Sequence, residues 1–272
     1  MRTNPIVRRL YKVAKDKLGI RVVDYAPLPA EHDPIRHIKR QAKGKDPDLL
    51  ELHLRQLLEE SFSYQDDVSG LRTAKDRMQY LLTCYELFKM VAGIPGHIVE
   101  VGVWRGLTAM LFGHFIELFN QQSVRQYFGF DTFEGFTAED LVGEADTVPL
   151  ADRFLSTSYE FVNALAQRQG YRHMHFVKGD VKNTLPSFLE ERADFKVALL
   201  YIDCDVYLPT KATLELLIGR MQTGGVIAFD EYNHWPEMQG ETRAADEILR
   251  QHGLRLQVLG PPSNISAYCR VD

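Results

Sequence analysis

Four carboxylates in two short clusters are the residues of this chain best placed to do chemistry. Tyr201-Ile-Asp-Cys-Asp-Val-Tyr-Leu-Pro-Thr210 carries Asp203 and Asp205, and Gly224-Gly-Val-Ile-Ala-Phe-Asp-Glu-Tyr-Asn-His234 carries Asp230 and Glu231. Each cluster follows an apolar run, so each reads as the tip of a buried strand. A segment of helical length separates them, which makes the strands parallel neighbours and brings the acids together at one sheet edge. Bare carboxylates so close repel, and one keeps a proton unless a cation removes the conflict. Oxygen-only ligands favour Mg²⁺, Mn²⁺ or Ca²⁺ over zinc, and Mg²⁺ keeps waters that substrate hydroxyls can replace. The competing reading is helix capping near Pro209 and Pro236, but a cap takes one acid and each tip offers two. Asp205 and His234 are the candidates for accepting a proton there.

A second set of residues points to a nucleoside-containing ligand. His97-Ile-Val-Glu-Val-Gly-Val-Trp-Arg-Gly106 is an apolar run that ends in Glu100, turns at Gly102 and Gly106 and passes into a helical pattern. Such a turn sets backbone and a helix N-terminus beside a ligand crevice. Trp104 and Arg105 lie within it. No GxGxxG or Gly-Lys-Ser/Thr phosphate cradle is present. An acid where a pyrophosphate would lie suits a ligand that is cationic at that point, as S-adenosylmethionine is. Asp131 ends a second run and is placed to accept from ribose hydroxyls. Asp180, in Val177-Lys-Gly-Asp180, is placed to accept from an adenine amino group or to cap the helix after it.

The elements that position these acids alternate from residue 97 onward. Strands are expected at 97–102, 126–131, 173–178, 196–203 and 224–230, and helices at 107–119, 152–168, 183–191, 209–220 and 237–252. Two short strands near 254–259 and 265–271 close the chain. This is an α/β doubly wound sheet with an antiparallel last strand, binding its ligands at the strands' carboxyl ends. Ahead of it, Met78, Leu81, Leu82, Tyr85, Phe88 and Val91 recur at helical spacing and suggest a docking face. Residues 1–70 read as a basic arm and helical lid, and 71–272 as the catalytic domain. The first 50 residues hold 12 Lys/Arg against 6 Asp/Glu, suiting a solvated segment or an anionic surface.

With 45% hydrophobic and 25% charged residues the composition is that of a globular enzyme. A net charge of −5 gives no reason to expect nucleic acid as a partner. No apolar run approaches the roughly 20 residues of a membrane span. Three cysteines without metal spacing fit a reducing cytoplasm. The apolar helical face and the basic arm suggest a homo-oligomer.

The chain resembles the macrocin O-methyltransferases (TylF type), SAM-dependent enzymes that methylate sugar hydroxyls of natural products. The resemblance rests on Val99-Glu-Val-Gly-Val-Trp-Arg-Gly106, Phe130-Asp-Thr-Phe-Glu-Gly-Phe136, Lys178-Gly-Asp180 with Thr184-Leu-Pro-Ser-Phe188, Asp203-Cys-Asp205-Val-Tyr207 with Pro209-Thr210, and Gly224-Gly-Val-Ile-Ala-Phe-Asp-Glu-Tyr232, in the family's order. It implies a class I methyltransferase fold, with SAM near Glu100, Asp131 and Asp180 and bordered by Gly102, Trp104, Arg105 and Gly106. It also implies Mg²⁺ held by Asp203, Asp230 and Glu231, with Asp203 where cofactor, metal and acceptor meet. The family's Asp-Asp-Tyr is Asp230-Glu-Tyr232 here, and the first 70 residues match poorly, so the acceptor does not follow from the resemblance. A phenol-type O-methyltransferase and a non-catalytic nucleoside-binding protein on the same fold are the rival readings.

Overall fold

The computed structural model describes residues 65–67, 70–72, 74–144, 154, 157–233, 239–259 and 267–272. The basic arm and most of the lid region lie outside these residues, as do His234 and Trp235. Strands β1 (Gln65–Asp67) and β2 (Gly70–Arg72) pair antiparallel, across the point where the sequence suggests a domain boundary. Helix α1 (Ala74–Val91) leads into β3 (His97–Val101), α2 (Leu107–Leu118), β4 (Tyr127–Asp131), α3 (Tyr159–Gln169) and β5 (Met174–Lys178). Then follow α4 (Val181–Glu190), β6 (Val197–Ile202), α5 (Tyr207–Leu217), β7 (Met221–Phe229), α6 (Gly240–Gln251), β8 (Leu256–Val258) and β9 (Ala267–Arg270).

The seven-stranded sheet runs β5-β4-β3-β6-β7-β9-β8. Strands β3 to β7 pair in parallel, and β9 inserts antiparallel between β7 and β8, as the terminal pair in the sequence suggests. Strand order reverses between β3 and β6, so the crevice that takes ligands in such sheets opens between their carboxyl ends. Gly102 and Asp203 stand on either side of it.

Strand β6 is buried along its whole length because both faces are covered. Leu199 and Tyr201 face one core with Phe88 and Phe112, while Leu200 and Ile202 face the other with Leu214 and Ile248. Two element expectations need correction. The helix expected from 152 starts at Tyr159, where the Ser158 hydroxyl accepts from the Phe161 N–H (3.1 Å). Helix α1 docks through Cys84, Leu87, Phe88 and Val91, whereas Leu81 and Leu82 are 39% and 48% exposed. Apolar residues stand on more than one side of α1, and the helix turns toward the side where Thr83 is satisfied by the Gln79 carbonyl (2.7 Å). Among the described residues no helix is long and apolar enough to cross a membrane.

Candidate active site

The two acidic tips adjoin. Ile202 pairs with Phe229 in register, and the Asp230 N–H donates to the Ile202 carbonyl (2.9 Å). On the other side of β6 the Asp203 N–H donates to the Val101 carbonyl (2.8 Å), which ties the tip to the glycine turn. Asp205 and Asp230 are buried, Asp203 and Glu231 half-buried. Burial, then the charges of Asp230, Asp205, Glu231 and Glu241, hold the Asp203 carboxyl well above the usual range. These acids do not occupy the N-cap positions of α5 and α6. The cap of α5 is Val206, and the free Tyr207 N–H there is taken by Glu144 (2.9 Å). The cap of α6 is Gln239, with no side-chain cap bond.

Among the described residues no three His, Cys, Asp or Glu side chains converge closely enough to hold a metal ion in this conformation. One acid is visibly engaged elsewhere: Asp230 accepts from the Tyr201 hydroxyl. Tyr201 in turn meets the Tyr80 hydroxyl (3.1 Å), which meets Thr108 (2.6 Å). The donor chemistry nonetheless fits a hard divalent cation. The set is oxygen-only, crowded and desolvated, and a cation relieves that repulsion.

Sequence reading missed a fifth acid at this site. Glu241, in the first turn of α6, is fully buried, and its Oε1 accepts from the Glu231 N–H (3.0 Å). Its signal is present in the sequence: Glu241, Ala244, Ala245 and Ile248 share one helical face, and a charge heads an otherwise apolar stripe. Tyr80 and Tyr201 were missed because tyrosines within apolar runs read as packing. Arg243, on the same helix as Glu241, is exposed and lies over the Tyr207 ring, 4.8 Å from its centroid.

The expected nucleoside side is organised mainly by backbone. Gly102 has φ +91°, and a Cβ there would collide with the Asp203 carbonyl, so this glycine is required by the close approach of β3 to β6. Asp131 spends both oxygens on the turn. Its Oδ2 accepts from the Val103 and Trp104 N–H groups (2.7 Å each) and its Oδ1 from the Phe133 N–H (2.6 Å). Its first role is therefore to shape the glycine turn, with ribose recognition left to whatever accepting capacity remains. The Arg105 guanidinium lies over the Trp104 ring, 4.3 Å from its centroid. Gly106 caps α2 at φ +81°, against Val162. Asp180 caps α4 through the Lys182 N–H (2.9 Å), as the capping alternative holds, and also lines a cleft of about 380 Å³ with Thr132, Phe136 and Lys178. A hollow of about 220 Å³ against α6 and β8 lies among residues without a chemical role.

Glu100 lies one residue before the end of β3, 1% exposed, and accepts from the Tyr127 hydroxyl (2.5 Å). Gly129, its register partner, leaves room for the Tyr127 ring, whose hydroxyl would lie 2.7 Å from a Cβ there. Burial lifts the Glu100 pKa well above the ordinary 4.5, with the Tyr127 hydrogen bond opposing. The folded chain thus keeps a proton that the unfolded chain releases. Its contribution to stability is complete below about pH 4 and declines, by at most ~1.4 kcal/mol per pH unit, until pH passes the folded value. Glu100→Gln, which keeps an acceptor for Tyr127, should therefore raise the melting temperature at pH 8 relative to wild type and leave it unchanged at pH 4. Equal melting curves at both pH values would show Glu100 to titrate normally.

Fold, switch point and acidic tips together define an α/β protein of the class I methyltransferase type. The chain belongs to the macrocin O-methyltransferase (TylF) family, whose model matches residues 67–259. It is 30% identical over 165 residues to the 8-demethyl-8-(2,3-dimethoxy-alpha-L-rhamnosyl)-tetracenomycin-C 4'-O-methyltransferase of Streptomyces olivaceus, covering 58% of this chain and 59% of that one. It is 27% identical over 174 residues to the demethyldecarbamoylnovobiocin O-methyltransferase of Streptomyces niveus, covering 57% and 63%. The match thus spans about three fifths of the length of these curated relatives. Among solved structures it is similar to CalS11, a calicheamicin methyltransferase (TM-score 0.63, 25% identity, 84% of this chain and 93% of that one). NovP, an O-methyltransferase, shares the fold (TM-score 0.61, 23% identity, 81% and 97%).

Proposed function

We propose that this chain transfers a methyl group from S-adenosylmethionine to a hydroxyl of a sugar or glycosylated natural product, at a site that takes a divalent cation, Mg²⁺ for choice. The observation that carries this reading is the meeting of the β6 and β7 tips beside the switch point, with carboxylates that stand outside the cap positions of α5 and α6. Family membership supports the reaction class, and the rhamnosyl substrate in the name of the Streptomyces olivaceus relative supports a sugar acceptor.

Each group has a part that follows from its place. Asp131 holds the turn open by gathering three N–H groups, and Glu100, buried and hydrogen-bonded to the Tyr127 hydroxyl, supports the strand beneath it. The cleft at Thr132, Phe136 and Asp180 receives the adenosine. Asp203, Asp230 and Glu231 hold the cation. When bound, it would supply Lewis acidity to an acceptor hydroxyl whose free pKa, far above neutral pH, makes it a poor nucleophile. The acceptor oxygen forms the new bond to carbon as the carbon–sulfur bond breaks, its electron pair staying on sulfur, and the hydroxyl proton passes to Asp205 or His234. Buried Tyr201, backed by half-buried Tyr80, keeps Asp230 in place. The three buried free cysteines fit a reducing compartment, and we assign the chain to the cytoplasm.

The test is a panel of sugar and phenol acceptors with SAM, following S-adenosylhomocysteine and the methylated product by mass spectrometry. A sugar acceptor turning over, with a loss of about 100-fold or more in excess EDTA, is the expected result. Turnover of phenols alone would move the acceptor class, and undiminished rates in EDTA would remove the cation.

A further inference from the structure

We propose that Glu241 is a further carboxylate of the cation site, bracing the Glu231 tip with one oxygen and presenting the other to the cation. This inference rests on the cation reading above. Three observations lead to it.

The first is position. Helix α6 starts between the two tips: the Glu241 N–H donates to the Asp205 carbonyl on the β6 side (3.2 Å), and its Oε1 accepts from the Glu231 N–H on the β7 side (3.0 Å). Gly240 fits this start closely, since a Cβ there would come within 2.7 Å of the Val206 Cα. One residue thus bridges both halves of the acidic site.

The second is an unspent oxygen. Glu241 Oε2 is buried and has no hydrogen-bond partner among the described residues, in a residue that is 0% exposed. The charges acting on Glu241 are those of Asp205, Asp230 and Glu231, so the oxygen belongs to the acidic cluster. Bracing Glu231 needs only one acceptor, which a glutamine amide supplies without burying a carboxylate. The helix dipole favours an acid in a first turn at the surface, but it does not account for an unpartnered oxygen in the interior.

The third is chemistry. Glu241 shares a helix face with Ala244, Ala245 and Ile248, a position where an apolar residue would pack at lower cost. A hard divalent cation resolves the anomaly, because it takes carboxylate oxygens from several chain segments and offsets their repulsion.

The experiment measures Mn²⁺ binding to the full chain by electron paramagnetic resonance, and melting temperature in chelator, for wild type, Glu241→Gln and Thr242→Val. Glutamine keeps the brace and removes the charge. Thr242→Val removes a neighbouring brace, the Thr242 hydroxyl that accepts from the Asn233 N–H (2.8 Å), and alters no carboxylate. Glu241→Gln should weaken Mn²⁺ binding by about tenfold or more while melting in chelator at the wild-type temperature or above. Thr242→Val should bind Mn²⁺ as wild type does. Wild-type affinity in Glu241→Gln would overturn the ligand role alone. Equal weakening in both variants would reduce Glu241 to a brace and likewise overturn it. A wild-type chain that binds no Mn²⁺ would instead overturn the cation site itself, and Glu241's part with it.

Discussion

Asp230→Ala should lose methyl transfer by about 10³-fold or more, equivalent to ~4 kcal/mol of transition-state stabilisation, while still folding and binding S-adenosylmethionine. Asp230 is buried just past the end of β7, on the opposite side of β6 from the strand that carries the glycine turn. Its removal takes away a proposed cation ligand and leaves the backbone bonds of Asp131 untouched. Folding should survive because Tyr201 keeps the Tyr80 hydroxyl as a partner. The charge removed is also the largest of those that raise the Asp203 pKa, so the acidic site becomes less strained. Calorimetry with S-adenosylhomocysteine, a melting curve and a turnover assay on one preparation separate these effects. A variant that turns over within tenfold of wild type would remove Asp230 from the mechanism, and one that loses cofactor and activity together would make it part of the cofactor's site.

Gly102→Ala should cost the fold itself. A methyl group at this position collides with the Asp203 carbonyl, and both colliding partners are backbone at the carboxyl ends of central strands. Neither can yield without separating β3 from β6, and φ +91° is unfavourable for alanine in addition. We expect insoluble protein, or a melting temperature lowered by about 10 °C or more, corresponding to at least ~4 kcal/mol. Gly106→Ala is the milder comparison, since its neighbour is the Val162 side chain at 3.1 Å, which has room to turn. Equal melting temperatures for Gly102→Ala and wild type would show that the ends of β3 and β6 are far enough apart to admit a methyl group.

Much of this architecture is legible in the sequence because the strands of a doubly wound sheet are buried on both faces. The continuous run Val197–Ile202, the turn at Gly102 and the acids after each strand follow from that burial, and so does the inserted β9. The position of the acids at the tips is legible for the same reason, since a carboxylate that ends an apolar run stands out. What escaped were groups whose role depends on distant segments. Asp131 looks like a ribose acceptor, yet three backbone N–H groups from its own and a neighbouring loop claim its oxygens. Gly102 looks like a concession to a ligand and is required first by a neighbouring strand. Glu241 reads as an ordinary helix charge until α6 is seen to begin between the two tips. The docking face of α1 was misjudged because both sides of that helix carry leucines, and spacing alone does not choose between them.

Anomalous diffraction from crystals grown with Mn²⁺ and S-adenosylhomocysteine tests the central claim most directly. A single Mn²⁺ peak within bonding distance of oxygens from Asp203, Asp230 and Glu231, beside a bound nucleoside, is the predicted result. Crystals with S-adenosylhomocysteine in the cleft and no Mn²⁺ at the two strand tips would contradict it.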